Sequence, residues 1–307
     1  MNGKVLIIGA AGFLGRHVVN ALIDVGARVV CLDPANPNEI RDGQQWVTGR
    51  IEDKDTVRAA ARGCEIVICL SGATLPGSKI LSLGTEIASS VIASVEAAEV
   101  CGQMGANLFV FASSGGTVYG VDSAVPIPET TSCRPRNAYG VSKLATEHYL
   151  RILHSLHGLR TVSLRISNPY GEGQIAARGQ GFIAAAMQAA MEGHPIPIWG
   201  DGSVVRDFIY VEDVAKAFVA ACRYSGPYSE FNIGSGTGVS LEVVLNRIAD
   251  ALSRPVLRAY ERSRAVDVAA NVLDVARARD ELNWRPSVGL KEGIENTARW
   301  WRDRGQQ

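Results

Sequence analysis

Gly9-Ala10-Ala11-Gly12-Phe13-Leu14-Gly15 stands between an unbroken apolar run, Lys4-Val5-Leu6-Ile7-Ile8, and a helix-patterned stretch from Arg16 to Val25. An apolar run of this length reads as a strand buried on both faces of a parallel sheet. Glycines at the strand-to-helix turn allow tight curvature and close approach of an anion to the free N–H groups of a helix N-terminus. A second strand, Arg28-Val29-Val30-Cys31-Leu32, ends at Asp33. An acid so placed can accept the hydroxyls of an adenosine ribose, although a helix N-cap is the plainer use of an aspartate there. The three features together predict a dinucleotide site built from Gly9, Gly12, Phe13, Leu14, Gly15 and Asp33.

The alternation continues outward. Gln45–Thr48, a helix near 53–62, the strand Glu65–Leu70, a helix over 85–104 and the strand Asn107–Ala112 follow. Leu70-Ser71-Gly72 lies at a strand's C-terminal end, where open parallel sheets bind ligands. Ser113 and Ser114 occupy the same position one strand later. The segment 121–136, rich in Pro, Ser and Thr, reads as a loop over the site. A helix then runs to His157, and the strand Thr161–Ile166 leads into Ser167-Asn168-Pro169-Tyr170-Gly171. The expected fold is α/β: a doubly wound parallel-sheet Rossmann domain over 1–170, with 205–235 returning to it, and a smaller mixed α/β substrate domain over 171–307.

On the helix that starts near 138, Tyr139 and Lys143 are four apart and share a face. A phenol is a poor base at neutral pH, and a nearby ammonium favours its phenolate. Such a pair can move the proton of an alcohol beside a hydride carrier. The spacing alone is common on solvated helices, so the dinucleotide signal gives it weight.

Composition sets the remaining bounds. The chain has 307 residues, 47% hydrophobic and 20% charged, with 31 basic against 31 acidic residues. Without a basic run, nucleic acid and membrane surfaces are not expected partners. No apolar stretch approaches the ~20 residues of a membrane span, and the N-terminus lacks signal-peptide features. The six cysteines form no C-x-x-C pair, which reads as a reduced, cytoplasmic protein. His154 and His157 lack ligand partners, so no metal is expected. Ser113-Ser114 lacks the nucleophile-elbow pattern of a hydrolase.

Taken in order, Gly9-x-x-Gly12-x-x-Gly15, Asp33, Val118-Tyr119-Gly120, Tyr139-x-x-x-Lys143, Arg165-x-x-Asn168-Pro169-Tyr170-Gly171, Gly200-Asp201-Gly202-x-x-x-Arg206-Asp207-Phe208 and Arg264-x-x-Asp267 resemble the extended short-chain dehydrogenase/reductases. The chain is most similar to the NAD-dependent sugar-nucleotide epimerase/dehydratase group and its UDP-hexose and UDP-N-acetylhexosamine 4-epimerases. The resemblance implies epimerisation at C4 through a transient 4-keto sugar, with tightly held NAD and a UDP-sugar substrate. It implies Tyr139 as acid/base, Lys143 on the ribose and lowering the Tyr139 pKa, and Asn168, Arg206 and Arg264 on the diphosphate. It adds Leu70, Ser71, Gly72, Ser113 and Ser167 to the cofactor site, and a homodimer formed through the 85–104 and 138–157 helices, whose Ala88, Ala93, Ala97 and Ala145 allow close packing.

The sequence also departs from the pattern. The family's catalytic Ser/Thr position holds Gly115, so Thr117 is the expected replacement, with Ser114 the alternative. Gly116 and Thr117 stand where the dehydratases carry Asp-Glu, which disfavours dehydration. The adenine-side Asp-Ile pair is Arg50-Ile51. The position gating the sugar C2 substituent holds Asn271, small enough to admit an N-acetyl group. A sugar-nucleotide 4-ketoreductase using NAD(P)H is the alternative reading, and a non-catalytic dinucleotide sensor a third.

Overall fold

The computed structural model describes residues 3–36, 40–72, 82–120, 124–175, 181–263 and 268–304. The first lobe is built on the strands β1 (Lys4–Ile8), β2 (Arg28–Asp33), β3 (Gln44–Thr48), β4 (Cys64–Cys69), β5 (Leu108–Ser114) and β6 (Arg160–Ile166). Its helices are α1 (Phe13–Asp24), α2 (Lys54–Ala61), α3 (Leu83–Glu86), α4 (Ala93–Gln103) and α5 (Ala138–His157), with a π-helical stretch, Ile87–Ile92, joining α3 to α4. The rest comprises β7 (Asn168–Tyr170), α6 (Phe182–Glu192), β8 (Ile196–Trp199), β9 (Val205–Tyr210), α7 (Val211–Ala221), β10 (Glu230–Ile233), β11 (Gly238–Ser240), α8 (Leu241–Leu252), β12 (Arg258–Glu261), β13 (Ala270–Asn271), α9 (Ala276–Leu282) and α10 (Leu290–Arg304).

Seven described strands form one sheet in the order β10-β6-β5-β4-β1-β2-β3, every pair parallel. Strand alternation sorts the apolar run of β1 to two faces. Val5 and Ile7 join the core with α1, α7 and α9, whereas Leu6 and Ile8 join the core with α2, α4 and α5. Burial on both faces is why these strands read as continuous apolar runs. The order reverses between β1 and β4, and such a switch point opens a crevice at the C-terminal strand ends.

The second lobe has its own core, including Met187, Ile198, Phe208, Leu245 and Ile294. There β9 pairs with β7, β11 and β13, and β8 pairs with β12. The segment 205–235 divides between the lobes. Its α7 packs on α1, and β10 extends the large sheet, but β9 belongs to the small one. The described part of the 121–136 loop forms a parallel bridge from Ile127 to Leu273, and none of it lines the interlobe cleft.

Candidate active site

A cleft of about 1170 Å³ runs between the lobes along the C-terminal ends of β1, β2, β4 and β5. At one end lies the glycine turn. A Cβ at Gly15 would stand 2.2 Å from the Gly9 carbonyl oxygen, so the turn folds this tightly only without a side chain there. α1 starts from Gly12 with no side-chain cap, which leaves first-turn N–H groups for an anion. The Asp33 carboxylate accepts from Ala11 N (3.0 Å) and Ala35 N (2.9 Å). Each oxygen keeps a further lone pair for a ribose hydroxyl. These residues fit a dinucleotide.

At the centre sits the helix pair. The Asn137 side chain caps α5 by accepting from Gly140 N (2.8 Å), and Gly158 closes it in the left-handed conformation. That phasing turns Tyr139 and Lys143 to the cleft. Lys143 is buried; its Nζ donates to Ala112 O (2.8 Å) and lies 5.6 Å from the Tyr139 ring centroid. Burial pulls the Lys143 pKa down to about 8, against the raising fields of Cys69, Glu86 and Glu147. Burial pushes Tyr139 up to about 12; the Ser114 hydroxyl bonded to it pulls the other way, and the Glu86 charge adds to the rise. The net effect of the cleft on the Tyr139 phenol is thus upward, with burial as its first cause. The Lys143 ammonium directs a proton at a backbone carbonyl rather than at the phenol.

Ser114, and not Thr117, is the hydroxyl beside Tyr139. Strand alternation cannot be carried on to Thr117, because β5 ends at Ser114 and the backbone turns there, Thr117 N and Val118 N both donating to Ser114 O. Thr117 Oγ1 is buried with no partner among the described residues and lies off the cleft. At Gly115 a Cβ would meet Leu273 Cδ1 at 2.5 Å and Arg165 O at 2.9 Å, so no hydroxyl-bearing side chain fits.

Gly9, Gly12, Phe13, Leu14, Asp33, Leu70, Ser71, Gly72, Ser113, Ser167, Asn168 and Arg206 all line the cleft. Ser113 donates to Glu147 and Ser167 to Asp207 (3.3 Å). Asn168 Nδ2 donates to Asp207 O (2.8 Å), and Arg206 Nη1 to Val268 O (2.7 Å). Arg264 lies outside the described residues. Three expected residues are elsewhere. Arg50 is exposed and faces Glu52 at 3.5 Å, and Ile51 is buried in the core behind β2. Asn271 is buried, its Nδ2 on Gly115 O (3.3 Å), and is not among the described residues that line the cleft.

Sequence reasoning missed Gln174. It is buried, lines the cleft and donates from Nε2 to Pro169 O (3.1 Å), while its Oε1 has no partner among the described residues. Nothing local in the sequence marks that amide. It also missed the apolar end of the cleft, where Phe182, Pro197, Trp199 and Leu241 gather from four separate stretches.

A parallel sheet with a glycine turn, a ribose-binding acid and a Tyr/Lys pair on one cleft defines a dinucleotide-binding fold equipped for proton and hydride transfer. The model of the NAD dependent epimerase/dehydratase family matches residues 5–234, and the chain belongs to that family. It is 32% identical over 302 residues to a dTDP-4-dehydro-6-deoxyglucose reductase of Escherichia coli, covering 95% of each chain. It is 31% identical to a UDP-glucose 4-epimerase of Mycolicibacterium smegmatis, covering 99% of this chain and 100% of the relative. The solved UDP-glucose 4-epimerase of Thermotoga maritima with UDP-glucose superposes with a TM-score of 0.92 at 30% identity, covering 98% of this chain and 99% of that one.

Proposed function

We propose that this protein catalyses NAD-dependent epimerisation at C4 of a UDP-hexose or UDP-N-acetylhexosamine. The observation that carries this reading is the shared cleft. The dinucleotide turn, the Tyr139/Ser114/Lys143 group and the second lobe's Asn168, Arg206 and Trp199 all face one space. NAD, when bound, supplies hydride acceptance and return at the sugar carbon. Gly9–Gly15 would hold its diphosphate, Asp33 its adenosine ribose and Lys143 its other ribose. Tyr139 takes the C4 hydroxyl proton and returns it to the same oxygen after the 4-keto sugar has turned over, so that the hydride comes back to the opposite face of C4. Ser114 keeps that phenol oriented and relays its proton. Arg206 suits the UDP diphosphate because a guanidinium fork makes paired charge-assisted bonds. Gly116 and Thr117 supply no carboxylic acid at the positions where dehydratases carry one, which disfavours dehydration.

The Escherichia coli relative favours a second reading, 4-ketoreduction of a nucleotide sugar. Incubation with a panel of UDP-hexoses, with and without NADPH, separates the two. C4 epimers formed without net cofactor consumption support the first; no epimer, and NADPH consumed with a 4-keto sugar, sinks it.

The reading extends to a cytosolic homodimer. Val141, Tyr149, Ile152 and Leu156 are exposed along one face of α5, and Ile87 and Ile92 are exposed on the neighbouring helical run. Burying that face against a second copy would remove apolar surface from water. Ala93 and Ala97, expected in the interface, are buried inside the subunit. All six cysteines are free thiols, and among the described residues no helix is long and apolar enough to cross a membrane. Light scattering of Ile152→Asp, expected to be monomeric beside a dimeric parent, tests the interface.

A further inference from the structure

The catalytic face of α5 carries a third charged residue. Glu147 is one turn beyond Lys143, and its carboxylate is buried. It accepts from Arg165 Nη2 (2.7 Å) and Nε (3.1 Å), and from the Ser113 hydroxyl. Arg165 Nη1 goes on to the Tyr119 hydroxyl (3.0 Å), which donates to Asn232 Oδ1 (2.6 Å). The chain of bonds thus starts at the cleft, on Ser113, and ends on the edge strand β10. A buried ion pair of this kind adds little stability over apolar residues of the same volume. Its place on the stripe that holds Tyr139 and Lys143 asks for another role.

We infer that Glu147 is a positioning residue of the active site: fixed by Arg165, its carboxylate supplies counter-charge to Lys143 and holds Ser113 at the cleft. Lys143 Nζ donates to Ala112 O rather than bridging to Glu147, so the interaction acts through space. The other titratable groups around Lys143 are Tyr139 on its own helix, Cys69 on β4 and Glu86 on α3. Burial pulls Lys143 toward its neutral form, and Glu147 is one of the groups that oppose it. Ser113 gives its single proton to Glu147, so its oxygen meets the cleft as an acceptor. The inference rests on the reading that Lys143 serves the bound cofactor.

The test compares full-length wild type with Glu147→Gln and with the double replacement Glu147→Met plus Arg165→Met. The readouts are NAD retained after gel filtration between pH 6.5 and 10, kcat over the same range, and thermal midpoint. Both variants are expected to lose NAD and kcat on the alkaline side at lower pH than wild type, Glu147→Gln by the larger step because it leaves the Arg165 charge uncompensated. The double variant, with neither charge buried alone, is expected to keep a midpoint near that of wild type. A double variant with the wild-type alkaline limb makes the pair purely structural and overturns the inference; so does insolubility of both variants. Failure of wild type to epimerise any UDP-hexose would sink the functional reading alone, because NAD retention is read without turnover.

Discussion

The Ser114 hydroxyl stands beside the Tyr139 phenol and pulls its pKa down against burial, while Thr117, three residues on, has its hydroxyl buried with no partner among the described residues. The strand end at 114 separates the two outcomes. Ser114→Ala is expected to lower kcat about 10- to 100-fold with little change in KM, since the lost contact serves proton transfer. Thr117→Val removes an unsatisfied polar atom at nearly constant volume, so activity and thermal midpoint should stay close to wild type. Steady-state kinetics with UDP-hexose checks both, and the reverse ranking would return the role to Thr117.

Restoring a serine at position 115 should fail. The added Cβ falls against Leu273 Cδ1 and the Arg165 carbonyl oxygen. A side chain can turn aside, but a carbonyl inside a sheet cannot. Gly115→Ser is expected to cost about 1–3 kcal/mol in urea unfolding, without raising kcat. A more active Gly115→Ser protein would mean that the turn can reopen.

Gly15 makes a sharper case at the cofactor end. A methyl group there meets the Gly9 carbonyl at 2.2 Å and the Ala10 carbonyl at 2.6 Å. Gly15→Ala should therefore force the turn open and abolish NAD retention, read by absorbance after gel filtration. The large sheet should survive, because Val5, Ile7, Leu6 and Ile8 lie in cores on its two faces. Unchanged circular dichroism with loss of cofactor is the expected pair of results.

What the sequence made legible follows from how local each feature is. The runs at 4–8 and 28–32, the glycine turn and the Tyr139/Lys143 spacing are properties of single segments, and their period survives folding. The bounds of α5 were also readable, since Asn137 and Gly158 are chemical signals at its ends. Thr117, Arg50 and Asn271 are not among the described residues that line the cleft, and their assignment rests on extending a local pattern past a turn or on counting from a distant motif. Gln174 and Trp199 became site residues only through the approach of two lobes, which no window of sequence contains. The electrostatics of Tyr139 went the same way. The neighbouring ammonium is visible in the sequence, whereas the desolvation that raises the phenol is a property of the assembled cleft.

Asp213 joins the start of α7 to the segment before α10 and links stability to pH. Burial pushes its carboxyl up. The Ser287 hydroxyl (2.6 Å), the N–H groups of Val288 (2.8 Å) and Ser287 (2.8 Å), and Lys216 (3.0 Å) pull it further down, and the net pKa is below the usual range. A carboxylate with a depressed native pKa stabilises the fold above its unfolded pKa of about 4, and that contribution fades as pH falls through the native value. Asp213→Asn keeps the shape and loses the charge. It is expected to cost roughly 2 kcal/mol at pH 7, with the gap to wild type narrowing below about pH 4. Urea unfolding of both proteins at several pH values reads the difference. A gap constant from pH 7 to pH 3 would mean that the four donors hold an amide as well as a carboxylate, so that the knot acts through shape rather than charge.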